Sequence, residues 1–160
     1  MTRRPFLAML SAFGLAPRLV SAQPAAGAKS ELLKLSDAEW KQRLTSAAYD
    51  VLRHEGTEYP GSSPLNKEHR KGVFACAGCD LPLFTSETKF ESGTGWPSFY
   101  ASIPDAVLTK TDMKMIVPRT EYHCARCGGH HGHVFDDGPP PTGKRYCNNG
   151  VALKFVPGEA

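Results

Sequence analysis

No run in this chain of 160 residues is apolar for long enough to cross a bilayer as a helix. Acidic residues are missing from positions 1–22, which hold Arg3, Arg4 and Arg18. That gap accounts for the positive charge of the whole chain, because without those three arginines 16 of the 19 basic side chains remain, against 16 acidic ones. The formal charge of +3 therefore belongs to the start of the chain. The rest has no net charge with which to hold the phosphates of a nucleic acid. With 41% hydrophobic residues, one domain with a core of its own is the expectation.

The first residues do not read as part of that domain. Met1-Thr2-Arg3-Arg4 is a short basic start, Pro5 to Val20 is mostly apolar, and Val20-Ser21-Ala22 supplies small residues of the kind a signal peptidase accepts. The stretch from Thr2 to Leu7 resembles a twin-arginine signal, which carries bacterial proteins across the inner membrane already folded. Residues 1–22 are thus expected to direct export to the periplasm, with an uncleaved anchor as the alternative. No other membrane attachment is expected. Residues 23–35 contain Ala, Gly and Pro without periodicity and read as a flexible linker to a domain over 36–160.

Ser36-Asp37-Ala38-Glu39 is a capping box opening a helix, with Trp40 and Leu44 on one face. A second helix is expected from Thr45 or Ser46, with Ala48, Val51 and Leu52 at core spacing and Gly56 as its stop. From Gly72 onward, short Val, Phe, Tyr and Ile segments alternate with Gly, Pro, Asp and Ser, a pattern of antiparallel strands. The strands expected are Val73 to Cys76, Leu81 to Phe84, Trp96 to Tyr100, Met115 to His123, Gly132 to Phe135, and Arg145 onward. The fold is mainly β, with the helices outside.

A repeat lies within this β region. Phe74-Ala75-Cys76-Ala77-Gly78-Cys79-Asp80 is echoed by Tyr122-His123-Cys124-Ala125-Arg126-Cys127-Gly128. Each half is a knuckle in which the chain turns after the second Cys so that both sulfurs face one ion, and two halves make a tetrahedral zinc site. The gap from Cys79 to Cys124 means that the ion ties early strands to late ones. Two disulfides, a redox dithiol or an iron site are the alternatives. Export in the folded state favours metal, because the thiolates are loaded in the reducing cytosol.

The fifth cysteine sits in Arg145-Tyr146-Cys147-Asn148-Asn149-Gly150. As a strand, this places Arg145, Cys147 and Asn149 on one face and Tyr146 and Asn148 on the other. A guanidinium beside a thiol favours the thiolate and lowers its pKa, which is what a nucleophilic cysteine needs. Read alone, the pattern equally fits a small buried Cys beside a solvated Arg. Gly93-Thr94-Gly95-Trp96-Pro97-Ser98-Phe99 combines a glycine turn with a Trp set by the following Pro. In Gly129-His130-His131-Gly132-His133-Val134-Phe135-Asp136-Asp137, strand parity groups His131, His133 and Phe135, and His130 has to join them from the preceding bend. Asp136 and Asp137 read as loop. A second metal on the three His lacks an evident carboxylate partner.

Taken together, Gly72-x-Phe74-x-Cys76-x-x-Cys79, Lys89-Phe90-x-Ser92-Gly93-x-Gly95-Trp96-Pro97-Ser98-Phe99, Cys124-x-x-Cys127, His130-x-Gly132-His133-Val134-Phe135-Asp136-Asp137-Gly138-Pro139 and Arg145-Tyr146-Cys147-x-Asn149 resemble the methionine-R-sulfoxide reductases, the MsrB family. The resemblance covers roughly Asp37 to Pro157. It implies two antiparallel β-sheets with small N-terminal helices packed outside and a structural zinc on Cys76, Cys79, Cys124 and Cys127. It also implies reduction of the R epimer of methionine sulfoxide, free or in a protein, by a thiol-dependent enzyme that undoes oxidative damage. By the same resemblance Cys147 is the nucleophile, and His130, His133 and Asn149 hold and protonate the sulfoxide oxygen. Arg145 supports the thiolate, while Trp96 and Phe135 wall the S-methyl group.

The chain departs from that pattern at Thr94, where many members carry a resolving Cys, and at His131, where an apolar residue is common. With four cysteines on a metal, no free thiol remains to trap a sulfenic acid at Cys147. The resemblance therefore implies an external reductant, a thioredoxin-like protein or a small thiol. Two other classes remain open: a zinc-ribbon-like binding module without catalysis, and a disulfide-bonded structural domain.

Overall fold

The computed structural model describes residues 33–114 and 116–158. The expected signal and most of the linker lie outside these residues. The last residues of the expected linker are attached to the fold: the Leu33 amide donates to the Arg126 carbonyl at 2.7 Å, and Leu33 and Leu35 pack on the core.

Helix α1 (Asp37–Arg43) starts at the capping box, with Ser36 and Glu39 each satisfying the other's backbone amide. It buries Trp40, whose ring carries the Arg53 guanidinium at 5.0 Å. Helix α2 (Ser46–His54) is capped by the Thr45 hydroxyl, which accepts from the Ala48 amide, and it buries Ala48, Val51 and Leu52. It ends one residue before the expected stop, at a left-handed Glu55 with φ 58°. The Glu55 carboxylate pairs with Lys110 and Lys114.

Nine strands follow: β1 (Gly72–Cys76), β2 (Pro82–Thr85), β3 (Lys89–Phe90), β4 (Ser98–Phe99), β5 (Val107–Asp112), β6 (Arg119–Cys124), β7 (His130–Phe135), β8 (Arg145–Asn148) and β9 (Leu153–Pro157). They form two antiparallel sheets, ordered β2-β1-β9 and β3-β4-β8-β7-β6-β5. Aromatic rings join the two sheets. Phe84 stacks on Phe99 with centroids 4.4 Å apart, Phe74 meets Phe99 edge-on at 4.9 Å, and Phe84 meets Tyr146 at 5.6 Å. Because Tyr146 points into this core, its neighbour Cys147 points out of the opposite face of the six-stranded sheet.

Three strand expectations need correction. The strand expected from Met115 begins at Arg119, because Pro118 has no amide to give a ladder and Ile116 and Val117 are exposed. Its partner β5 was not foreseen: it is the sheet's edge, mostly polar and exposed, and so carries no apolar alternation. The run from Arg145 is two strands, separated by a 3-10 turn over Gly150–Ala152 that carries the chain from the six-stranded sheet to the three-stranded one.

Candidate active site

The two cysteine knuckles are conformational copies. In one, the Cys76 amide donates to Leu81 O and Cys76 O accepts from the Asp80 amide; in the other, the Cys124 amide donates to Gly129 O and Cys124 O accepts from the Gly128 amide. Asp80 and Gly128 hold the same left-handed turn, at φ 60° and 67°. The knuckles meet with Cys76 Sγ 3.6 Å from Cys127 Sγ and Cys79 Sγ 3.4 Å from Cys124 Sγ, and all four sulfurs lie within 4.8 Å of one another. A disulfide needs about 2.05 Å, so none of these pairs is bonded. Four sulfurs about 2.3 Å from a shared tetrahedral ion stand roughly 3.8 Å apart, close to the spacing found. The four cysteines are thus placed to bind a metal ion. An ion held there would link the β1–β2 turn to the β6–β7 turn, and through them the two sheets.

Among the described residues these four cysteines are the group of three or more candidate ligands that lie within 4.8 Å of one another.

Cys147 lies in the middle of β8, paired with Ser98 of β4 on one side and His133 of β7 on the other. Directly opposed residues carry Cβ atoms about 4.5–5.5 Å apart, so the thiol and the His133 imidazole share one face as close neighbours. Above them is a cavity of about 230 Å³, lined by Trp96, Phe135, His133, Cys147, Asn149 and Arg119, with Thr57, Gly132 and Asn148 completing the wall. Trp96 is fixed at its edge, where the indole Nε1 donates to the Glu58 carbonyl at 3.2 Å. Asn149 uses its Oδ1 to accept from the Glu58 amide and its Nδ2 to donate to His131 O, which leaves one amide hydrogen uncommitted.

The strand parity expected for the histidines is wrong, and a bulge is the reason. Tyr122 pairs with Gly132 and His123 with His130, so His131 is an extra residue in β7. The bulge brings His130 to the side of His133, with ring centroids 5.6 Å apart, and turns His131 inward onto Tyr122. His131 is fully buried, and neither ring nitrogen has a protein partner. Burial pushes it down to about 3. At the same place a Cβ on Gly132 would lie 1.9 Å from the Cys147 carbonyl oxygen, so β7 approaches β8 closely only because that residue is glycine.

His130 and Arg145 are not in the cavity wall. His130 is buried beside His133, its Nδ1 2.9 Å from Glu121 Oε1. Arg145 donates from Nε and Nη2 to the two carboxylate oxygens of Asp137, both at 2.8 Å, and lies 4.4 Å over the Phe135 ring. Asp137 therefore does more than make a loop. The Cys147 thiol is pushed up rather than down as expected: burial outweighs the Arg145 charge and the Thr94 hydroxyl, both of which favour the thiolate.

The sequence profile of the SelR domain matches residues 44–157. The peptide methionine sulfoxide reductase MsrB of Agrobacterium fabrum is 51% identical over 123 residues, 76% of this chain and 91% of that protein. The protein of that name from Methanosarcina barkeri is 56% identical over 121 residues, 75% of this chain and 85% of the relative. The chain belongs to the MsrB family.

Several residues of this MsrB site were not legible beforehand. Asp112 Oδ2 is 2.7 Å from His133 Nε2, and Glu121 holds His130, so both imidazoles have the carboxylate partners that seemed missing. Asp112 also accepts from Arg119 Nη2 and from the Lys114 amide, and these donors hold its carboxyl well below the usual range. Thr57 and Glu58 arrive from a segment with no motif, and Glu58 also caps the Gly150 and Val151 amides. A cross-strand partner is invisible until the register is known. The segment over 57–63 carries no periodic signal at all.

Proposed function

We propose that this MsrB family protein reduces the R epimer of methionine sulfoxide, free or within a peptide, to methionine. Cys147 is the nucleophile, an external thiol is the reductant, and a structural zinc sits on the four knuckle cysteines. The observation that carries this reading is one cavity holding a half-buried thiol, a cross-strand imidazole and two aromatic walls.

The thiol and imidazole supply what the reaction needs. Cys147 is raised and His133 is lowered, both chiefly by burial, so at neutral pH the pair holds one proton, resting mostly on sulfur. His133 takes that proton as the sulfur attacks the sulfoxide sulfur, then passes it to the sulfoxide oxygen; such assistance is worth about 10²–10⁴-fold. The attack forms a bond between the two sulfurs; the protonated oxygen then moves to the Cys147 sulfur as that sulfur–sulfur bond and the substrate S–O bond break, so methionine leaves and Cys147 is left as a sulfenic acid. Arg145, held by Asp137, and the Thr94 hydroxyl stabilise negative charge on the attacking sulfur. Asn149 has one amide hydrogen for the oxygen. The S-methyl group rests against Trp96 and Phe135, a contact worth about 0.3–1.5 kcal/mol that also selects one epimer by shape.

Turnover then needs electrons from outside. The other four cysteines are committed to one another, and Thr94 supplies no sulfur. An external thiol condenses with the sulfenic acid, releasing water and forming a mixed disulfide. A second thiol restores Cys147 and leaves as disulfide. Zinc suits the four-thiolate set, and when bound it supplies a rigid cross-link and no open coordination position. The Arg3-Arg4 start, the acid-free apolar stretch to Val20 and the small residues to Ala22 support export to the periplasm, where the enzyme repairs oxidised proteins.

One equivalent of methionine (R)-sulfoxide, added without reductant, tests the chemistry. The expected result is one equivalent of methionine and a single added oxygen on Cys147, trapped by a sulfenic-acid reagent. Methionine release by Cys147→Ser, or a disulfide to Cys147 in place of the sulfenic acid, would overturn it.

A further inference from the structure

Asp112 belongs to no motif. It ends the edge strand β5, three strands away from Cys147, yet it is buried in a sheet edge that is otherwise mostly polar and exposed. Its carboxylate is saturated by donors: Oδ1 accepts from the Lys114 amide at 2.9 Å, and Oδ2 meets Arg119 Nη2 at 2.6 Å and His133 Nε2 at 2.7 Å. An ionised carboxylate can only accept, so the hydrogen of neutral His133 is on Nε2 and faces Asp112. The other ring nitrogen, Nδ1, is then the basic one.

We infer that Asp112 is a positioning residue for the reaction: it fixes the ring and tautomer of His133 so that Nδ1 exchanges the proton with Cys147 and with the sulfoxide oxygen. Arg119 is its counterweight. By sharing Oδ2, the guanidinium keeps the carboxylate from holding a proton permanently on His133, so the imidazole can both take the thiol proton and give it up. The other charged or titratable groups around His133 are Lys114 beyond β5, Glu121 directly opposite on β6, His130 on β7 and, from β8, Cys147 and Arg145. Glu121 is engaged by His130 and Lys110, and Arg145 by Asp137, which leaves Asp112 as the anion on the imidazole. The geometry is that of a nucleophile, a base and an orienting carboxylate.

This inference rests on the proposed role of His133, and its test separates the two. Single-turnover methionine release from methionine (R)-sulfoxide is measured against pH, because the reactive state is the pair Cys147/His133 with one proton, bounded by two macroscopic pKa values. Asp112→Asn is expected to lower the rate about 10²-fold or more and move the acid limb to lower pH; Arg119→Gln is expected to move that limb to higher pH. In a His133→Gln background, adding Asp112→Asn is expected to change nothing further. ¹⁵N-histidine NMR of the substrate-free protein reads the tautomer without relying on activity: Nε2–H alone in the wild type, a mixture in Asp112→Asn. If His133→Gln keeps the rate and both limbs, the proposed role of His133 fails. If it loses the acid limb while Asp112→Asn keeps both the wild-type limb and the tautomer, the inference about Asp112 fails alone.

Discussion

At Cys147 two effects of known sign oppose each other: burial raises the thiol, and the Arg145 charge and Thr94 hydroxyl lower it. The sequence displays Arg145 beside Cys147 but not the burial, so it gives the wrong direction for the shift. Thr94 is more useful as a predictor. Its hydroxyl is near enough to favour the thiolate, so a sulfur at that position stands within reach of the sulfenic acid. Thr94→Cys is expected to convert the oxidised enzyme from sulfenic acid to an intramolecular disulfide, read as loss of one water by intact mass. His131 makes a second residue-level prediction. Two buried ring nitrogens without protein partners cost about 1–3 kcal/mol, so His131→Leu is expected to raise stability to urea at pH 7 by about that amount. Its folded value of about 3 against 6.5 means that the unfolded chain holds the extra proton between them. Stability therefore falls as pH drops from about 6.5 toward about 3, and the Leu variant should lose much of that slope. Equal slopes in pH-dependent urea titrations would contradict this.

Among the elements, those closed by local rules were legible. The capping box at Ser36 and the Thr45 start of α2 follow from side chains bonding nearby backbone, and both knuckles from backbone turns closed within a few residues. Elements set by long-range pairing were not. Strand β5 has no apolar face to announce it, and the bulge at His131 exists only because β6 and β7 pair with one residue to spare. That single insertion decides which histidines stand beside each other, so alternation counted along β7 had to fail. Gly132→Ala is the test at this scale. Its Cβ must push against the Cys147 carbonyl, so strands β7 and β8 have to part. The expected cost is on the order of 1–3 kcal/mol in thermal or urea unfolding, with a loss of methionine release larger than stability alone explains. A variant as stable and active as the wild type would show that the close approach is unimportant.

For the whole molecule, the four-cysteine cluster and the cavity are separate devices. The knuckles lie at one end of β1 and β6, joining the two sheets, while the cavity opens over β4, β7 and β8. One zinc per chain is expected by metal analysis. Removing it with a chelator should lower the unfolding temperature by many degrees, with activity following loss of fold rather than preceding it. The start of the chain carries a different prediction. Replacing Arg3 and Arg4 by Lys is expected to hold the full-length protein in the cytoplasm, read by fractionation; unchanged periplasmic delivery would contradict a twin-arginine route. The central claim is that this cavity reduces one epimer of methionine sulfoxide, and it is tested most directly with racemic methionine sulfoxide and dithiothreitol. The account predicts that the R form disappears as methionine accumulates while the S form remains. Consumption of the S form alone, or of neither, would contradict it.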